Sequence, residues 1–462
     1  MKLSSLFKTD DHWAIWIGAF TLSIGVFFFV IPHYTVTDYA GQQVVEQSFA
    51  KHLKPLTSKP ATWSSNPLSS FVKDGSTSII INLGLLFIAF TLLFGMARKV
   101  MGYSFRAFLK GFAFVFLLAV ISYFLAQNQS VKNLSIGYAV WAIGLGLFIS
   151  NALKVPEWVK PAIQTELFIK TALVLLGAEI LFGKILAIGL PGIFVAWIVT
   201  PIVLVTTYWF GQRVLKISSK TLNITVSADM SVCGVSAAVA VASASNAKKE
   251  ELTLAIGLSM LFTSLMMVLM PIFINAVGMP EVLGGAWLGG TIDATGAVVA
   301  AGAFLGDTAL NVAATIKMIQ NILIGIVAFF VAIYFTRKES GTSKRKVGIS
   351  EIWKRFPRFI LGFIGASVVF SLIHASFDPE TAKFAIDDGA IRSFSSQLRG
   401  WFFCLAFVSI GLATNFKELK SYFKSGKPLI LYVSGQLLNL LLTLGMAYIA
   451  FYILFPEITA SI

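Results

Sequence analysis

The sequence predicts an all-α polytopic membrane protein with about 11–13 transmembrane segments, two of them interrupted or re-entrant. Three observations carry this. Hydrophobic residues make up 56% of the 462 and charged residues only 13%, with a mean hydropathy of +0.81; no water-soluble domain of this length sustains that balance. The apolar residues gather in runs long enough to supply the roughly 20 residues of helix that a hydrocarbon core requires. They lack the alternating segments of about ten residues that mark an outer-membrane barrel.

In order, apolar runs cover residues 13–31, 78–97, 108–126, 134–152, 165–186 and 189–210. An interrupted segment at 221–246 follows, then a continuous run at 252–275 and a second interrupted segment at 284–306. Runs at 310–335, 357–376, 396–414 and 429–455 complete the set. The first run is longer than a signal-peptide core and no small-residue cleavage site follows it, so it reads as a retained anchor. Residues 1–133 read as an N-terminal accessory membrane unit and 134–462 as the core. The loop 33–77 carries Pro55, Pro60, Pro67 and a mildly amphipathic piece at 39–53, and is expected to cap the membrane face from outside.

Lys and Arg set the orientation. Arg98, Lys99, Arg106 and Lys110 flank one loop, Arg213, Lys216 and Lys220 a second, and Lys417, Lys420, Lys424 and Lys427 a third, while 337–358 holds eight more. These loops share the cytoplasmic side, which puts the N terminus inside. The net charge of +14 is therefore a topology signal rather than a nucleic-acid footprint. Lys248 and Lys249 lie outside if the interrupted segments cross as broken helices, and inside if they re-enter.

The interrupted segments are where function should lie. Residues 227–247 read SADMSVCGVSAAVAVASASNA and 289–307 read GGTIDATGAVVAAGAFLGD. Each sets a polar, helix-breaking cluster at membrane depth and follows it with tiny residues. Lipid cannot satisfy opened backbone, so such a break is tolerated only where protein or a wet cavity supplies partners, as at the substrate and ion sites of transporters. The half-helix after a break presents unpaired N–H groups and a partial positive charge, which attract an anion without a side-chain cation. Ser231, Ser236, Thr291 and Thr295 add hydroxyls, and Cys233, Gly234 and Gly296 complete the two turns. The competing reading makes the small residues packing surfaces, with the polar ones bonded to local backbone.

Asp229 and Asp293 lie within these segments, where a carboxylate costs roughly 2.5–3.5 kcal/mol on insertion scales and needs a partner or a cavity. They are expected to bind sodium or exchange a proton, Asp293 ahead of Asp229; the plainer role is a helix cap. Glu179 is a third ion-coupling candidate, either a proton carrier or a partner of Lys184. Lys317 shares a helical face with Gln320 and Asn321. It is expected to hold a substrate anion, to balance Asp293 or Asp229, or to snorkel to the interface. Cys233 and Cys404 fall in apolar runs and His12, His33, His52 and His374 are scattered, so neither a disulfide framework nor a metal cluster is expected.

Over residues 134–454 the chain resembles the YeiH-like bacterial sulfate-exporter family. The likeness rests on Val232-Cys233-Gly234-Val235-Ser236-Ala237-Ala238, on 285–303 with Asp293, on Ala313-Ala314-Thr315-Ile316-Lys317, and on 406–415, ending Gly-Leu-Ala-Thr-Asn. It implies a secondary transporter with inverted repeats and a moving core, distantly akin to bile-acid symporters and cation/proton antiporters. The accessory unit departs from the usual family length. The family pattern has basic residues at the position of Gln320 and near that of Glu179; both departures remove positive charge and favour a less charged anion than sulfate.

The resulting expectation is a secondary active transporter of the bacterial inner membrane, an exporter of a small anion such as sulfate, a related sulfur oxyanion or an organic acid. Alternating access would be coupled to H+ or Na+, with substrate held by Ser231, Cys233, Gly234, Ser236, Thr291, Thr295, Gly296, Lys317 and Gln320. A cation/proton antiporter is the alternative. No GxxxxGK[ST] loop or HExxH pair occurs, so neither direct ATP hydrolysis nor another enzyme activity is expected. A channel ranks lower for want of filter repeats. No cofactor is expected apart from Na+ as a coupling ion, and the partners are the anion, the lipid bilayer and a second copy in a homodimer, with no nucleic acid.

Overall fold

A computed structural model of the chain describes residues 7–30, 53–72, 78–133, 137–180, 182–338, 356–419 and 426–462. The architecture is all-α; among the described residues the one β feature is an isolated bridge between Trp63 and Asn128. Nine helices among the described residues are long and apolar enough to cross a membrane, and four shorter apolar helices, Tyr138–Leu153, Val235–Ser245, Thr295–Leu305 and Phe359–Ala375, accompany them. The polytopic class read from composition is what the structure shows.

In chain order the principal helices begin with α1 (Asp10–Gly25), α2 (Ser78–Val100), α3 (Phe105–Ala126), α4 (Tyr138–Phe148) and α5 (Thr165–Glu179). There follow α6 (Phe182–Ile193), α7 (Val199–Arg213), α8 (Lys220–Ala228), α9 (Val235–Ser245), α10 (Lys249–Ala276), α11 (Glu281–Thr291), α12 (Thr295–Leu305) and α13 (Asp307–Lys338). Last come α14 (Phe359–Ala375), α15 (Ser396–Ala413) and α16 (Lys427–Tyr448). They form two compact units, one of Met1–Phe182 with Arg358–Thr414 and the other of Gly183–Pro357 with Asn415–Ile462.

In the first unit α5 packs against α1, α14 and α15, and α15 also packs against α3 and α4. The α4–α15 crossing is close because both helices carry glycine there: a Cβ at Gly146 would stand 2.7 Å from the Gly411 Cα. Phe94, Phe112, Phe168, Phe402 and Trp401 fill the interior. Helices α1–α3, read from sequence as an accessory unit over 1–133, thus share one unit with α4, α5, α14 and α15. Part of the loop 33–77 joins this core: Trp401 donates its indole N–H to the Ser58 carbonyl (3.1 Å) and Trp63 donates to Phe124 (2.7 Å). The amphipathic piece expected at 39–53 falls, but for Leu53, outside the described residues, as does 339–355 of the basic loop.

The run 165–186, expected to be continuous, is broken. Helix α5 stops at Glu179, and Ile180 is extended at φ −98°, ψ 100°. The nearest glycines, Gly177 and Gly183, stand three residues to either side. The opened carbonyl of Ile180 accepts from Ser367 Oγ on α14 at 2.5 Å, so tertiary partners satisfy a break that local sequence does not announce.

In the second unit the small-residue helices α9 and α12 both lie against α13. Ala237, Ala240 and Val241 of α9 join Leu323, Ile324 and Val327 of α13 in one apolar cluster, the close approach that alanine-rich faces permit. A second cluster joins Val203 of α7, Leu258 of α10 and Leu431 of α16. Leu437 and Leu441 stand exposed on helix α16, an apolar face suited to lipid.

Candidate functional site

Two helix breaks and the continuous helices α13 and α16 build the site, all within the second unit. At the first break the backbone after α8 widens into a π turn over Asp229–Cys233, closed by a bond from the Gly234 N–H to the Asp229 carbonyl (2.9 Å). Gly234 then adopts φ 52°, ψ −129°, open to glycine and strained for any L side chain. A Cβ there would also stand 3.0 Å from Ser259 Oγ, 3.3 Å from the Asp293 Cβ and 3.7 Å from Asp229 Oδ1. The missing methyl therefore lets the two carboxylate-bearing turns come together. At the second break Ile292 (ψ 130°) and Ala294 (ψ 130°) are extended on either side of Asp293.

Breaking a helix strands the carbonyls of its upstream half, and at membrane depth these need donors. Side chains of α13 and α16 provide them. Lys317 Nζ donates to the Val232 carbonyl (2.8 Å) and to Gln320 Oε1 (2.7 Å). Gln320 Nε2 in turn donates to Thr200 Oγ1 (3.0 Å), the Ser231 carbonyl (3.1 Å) and the Gly290 carbonyl (3.3 Å). Asn439 Nδ2 lies 3.4 Å from both the Met230 and Thr291 carbonyls, and Gln436 Nε2 donates to Thr291 at 3.1 Å. Gln320 and Asn439 each bridge one carbonyl of the first break to one of the second. The two interrupted segments are thereby stitched back to back.

The downstream halves are treated differently. Neither α9 nor α12 has a side-chain cap at its N-terminus. Ser236 is exposed and Thr295 half-buried, Thr295 Oγ1 accepts from Asn321 Nδ2 (3.1 Å), and Cys233 Sγ lies 3.6 Å from that hydroxyl. The starts of both half-helices therefore lie close to each other, with their first N–H groups uncapped.

The two aspartates differ as well. Asp293 accepts a hydrogen bond from the Tyr432 hydroxyl of α16 and interacts with the charge of Lys317. Asp229 is 0% exposed, and neither of its carboxylate oxygens has a partner at hydrogen-bonding geometry among the described residues. Ser259 of α10 lies close enough to interact with both Asp229 and Tyr432.

Of the residues singled out in the sequence, Asp229, Ser231, Cys233, Gly234, Thr291, Asp293, Thr295, Lys317 and Gln320 gather around the two breaks, and Ser236 and Gly296 open the half-helices. Several arrive in other roles. Lys317 is 1% exposed, which removes the snorkelling option, and it props a carbonyl. Ser231 Oγ donates back to the Ser227 carbonyl (2.7 Å), a local bond. Glu179 lies in the other unit, paired with Arg399 at 2.7 Å. Tyr432, Gln436, Asn439 and Thr443 were missed, although their spacings of four, three and four place them on one face of an otherwise apolar run. Ser259 and Thr200 carried no sequence signal.

A family model described as conserved hypothetical protein 698 matches residues 110–432. A UPF0324 membrane protein of Nitratidesulfovibrio vulgaris is 45% identical over an alignment spanning 100% of this chain and 97% of its own. A UPF0324 membrane protein of Rhodopirellula baltica is 54% identical over 89% of this chain and 75% of its own, and one of Nitrosomonas europaea is 27% identical over 93% and 92%. No solved structure matches.

Proposed function

The chain belongs to the conserved hypothetical protein 698 family, the YeiH-like family of the UPF0324 membrane proteins, and from that footing we propose that it is a secondary active transporter of a small anion. Sulfate, a related sulfur oxyanion or an organic acid is the substrate class, and a proton or sodium gradient drives alternating access. One observation carries the reading. At both breaks the stranded carbonyls are occupied by Lys317, Gln320, Gln436 and Asn439, while the N-termini of α9 and α12 are left uncapped. The polarity left open is the positive one, which suits an anion. The Lys and Arg distribution favours a cytoplasmic N terminus in the bacterial inner membrane.

A cation/proton antiporter is the second reading, favoured by two carboxylates of 0–1% exposure at one place. Currents from reconstituted protein on a solid-supported membrane separate the two. Saturable currents on stepping sulfate, sulfite, sulfonates or small carboxylates establish an anion carrier. Silence to every anion with a response to sodium or pH steps establishes the antiporter.

A further inference from the structure

We propose that Asp229 is the principal ligand of one bound sodium ion, with the Ser259 hydroxyl as a second oxygen. This rests on the cation-coupled reading above and gives that coupling an address.

The two aspartates are not equivalent. Among the described residues, the charged and titratable groups that interact with Asp229 are Asp293 on the second break and Tyr432 on α16, whereas Lys317 on α13 interacts with Asp293 and with Cys233. Tyr432 donates to Asp293, and Lys317 lies in the field of Asp293 while its ammonium holds the Val232 carbonyl. One ammonium against two carboxylates leaves one negative charge over, and it falls on Asp229, which has no cation interacting with it among the described residues. An ionised carboxylate so enclosed is strongly disfavoured unless a cation joins it.

The orphaned atoms name the cation. The unpartnered buried side-chain atoms of Asp229, Thr291, Asn321 and Gln436 are all oxygens, whereas the nitrogens of Lys317, Gln320, Gln436 and Asn439 are in use. Two unmet oxygens on the buried Asp229, beside a Ser259 hydroxyl that can turn a lone pair toward a cation, are the setting a hard cation seeks. A proton satisfies one oxygen, while a sodium ion can meet both oxygens of Asp229 and a hydroxyl together. No group of three His, Cys, Asp or Glu gathers among the described residues, so the donor set suits one charge rather than a divalent or transition ion. Gly234 keeps the approach open, since a Cβ there would crowd Ser259 Oγ at 3.0 Å and stand 3.7 Å from Asp229 Oδ1.

The test is equilibrium sodium binding by the purified full chain in detergent. Thermal unfolding is followed as sodium replaces N-methyl-D-glucamine at constant chloride and pH. The wild type should show a midpoint that rises with the logarithm of sodium, as a ligand of the native state requires. Asp229→Asn should abolish the rise, Ser259→Ala should weaken the apparent affinity several-fold, and the exposed Asp307→Asn should leave it unchanged. Should Asp229→Asn fail to fold, the Ser259→Ala titration decides alone. The proposal is overturned if the wild type ignores sodium, if Asp229→Asn keeps the response, if Ser259→Ala leaves the affinity unchanged, or if the Asp229-dependent response follows pH and not sodium. Sodium binding without any anion current would instead sink the anion-carrier reading and leave this site standing.

Discussion

Tyr432 donates its hydroxyl to Asp293 from 139 residues further along the chain, and both are buried to within 1%. This bond gives Asp293 its hydrogen-bond donor, whereas Asp229 lacks one at bonding geometry among the described residues. Tyr432→Phe keeps the ring stacked on Phe262, whose centroid is 4.8 Å away, and removes only the donor. The expected cost is about 1–3 kcal/mol, that of leaving a buried acceptor without its partner. Measured by thermal unfolding, most of it should vanish in an Asp293→Ala background, which lacks the acceptor; equal costs in both backgrounds would show that the bond contributes nothing.

Gln320→Leu removes the amide shared by Ser231, Gly290 and Thr200 while keeping the volume. Two stranded carbonyls on opposite breaks lose a donor together, so the loss should exceed that of Asn321→Leu, whose amide donates, among the described residues, to the Thr295 hydroxyl alone. Roughly 1–3 kcal/mol for each orphaned carbonyl is expected, read as a lower unfolding midpoint in detergent. A Gln320→Leu protein as stable as wild type would mean that the breaks are held by packing alone.

These cases show how legible the molecule was. The breaks at Asp229–Gly234 and at Asp293 were readable because glycine, aspartate and serine in an apolar run are costly in helix interiors and in lipid. The break at Ile180 was not, because the donor that meets its opened carbonyl, Ser367, comes from another helix. The donors that make both functional breaks tolerable come from α13 and α16, and a polar stripe such as Tyr432, Gln436, Asn439 and Thr443 reads from sequence only as a buried face. What it faces is a tertiary fact. The same holds for Glu179, for which sequence offered Lys184 as partner and the fold supplies Arg399, 220 residues away.

That pair makes a prediction of its own. Glu179 and Arg399 have side chains only 13% and 10% exposed, and Arg399 also reaches Ser396 Oγ at 3.2 Å. Removing one partner of a buried pair costs about 3–5 kcal/mol because the other charge is left stranded. Glu179→Gln and Arg399→Gln should each lower the yield of monodisperse protein, and the double variant should recover much of it. If Glu179→Gln is fully stable yet abolishes pH-driven current, the residue carries protons instead of holding the fold.

Ser236 and Thr295 test the uncapped half-helices. Ser236→Ala and Thr295→Ala remove hydroxyls beside the first N–H groups of α9 and α12 but leave the backbone N–H groups in place. Each should raise the anion concentration for half-maximal current by roughly tenfold, equivalent to about 1.4 kcal/mol; Ser236→Ala should leave the unfolding midpoint little changed, while Thr295→Ala also strips the buried Asn321 amide of its acceptor and should cost about 1–3 kcal/mol of stability. No change in half-saturation for either variant would move the anion away from these N-termini.

Lys317 distinguishes prop from ligand. Its ammonium is held at 2.8 Å by the Val232 carbonyl and at 2.7 Å by Gln320, and among the described residues it is the cation that interacts with Asp293. As a prop and counter-charge, its loss is a folding defect: Lys317→Met should destabilise by several kcal/mol, as breaking a buried charge pair does. Asp293→Asn in the same chain removes the charge that Lys317 balances and should restore part of the midpoint, a coupling of about 1 kcal/mol or more in a double-mutant cycle. As a substrate ligand, Lys317→Met should instead fold normally and lose anion current, with no rescue by Asp293→Asn. The geometry favours the first outcome, because an ammonium already bonded to a backbone carbonyl and an amide must give up both to grip an anion.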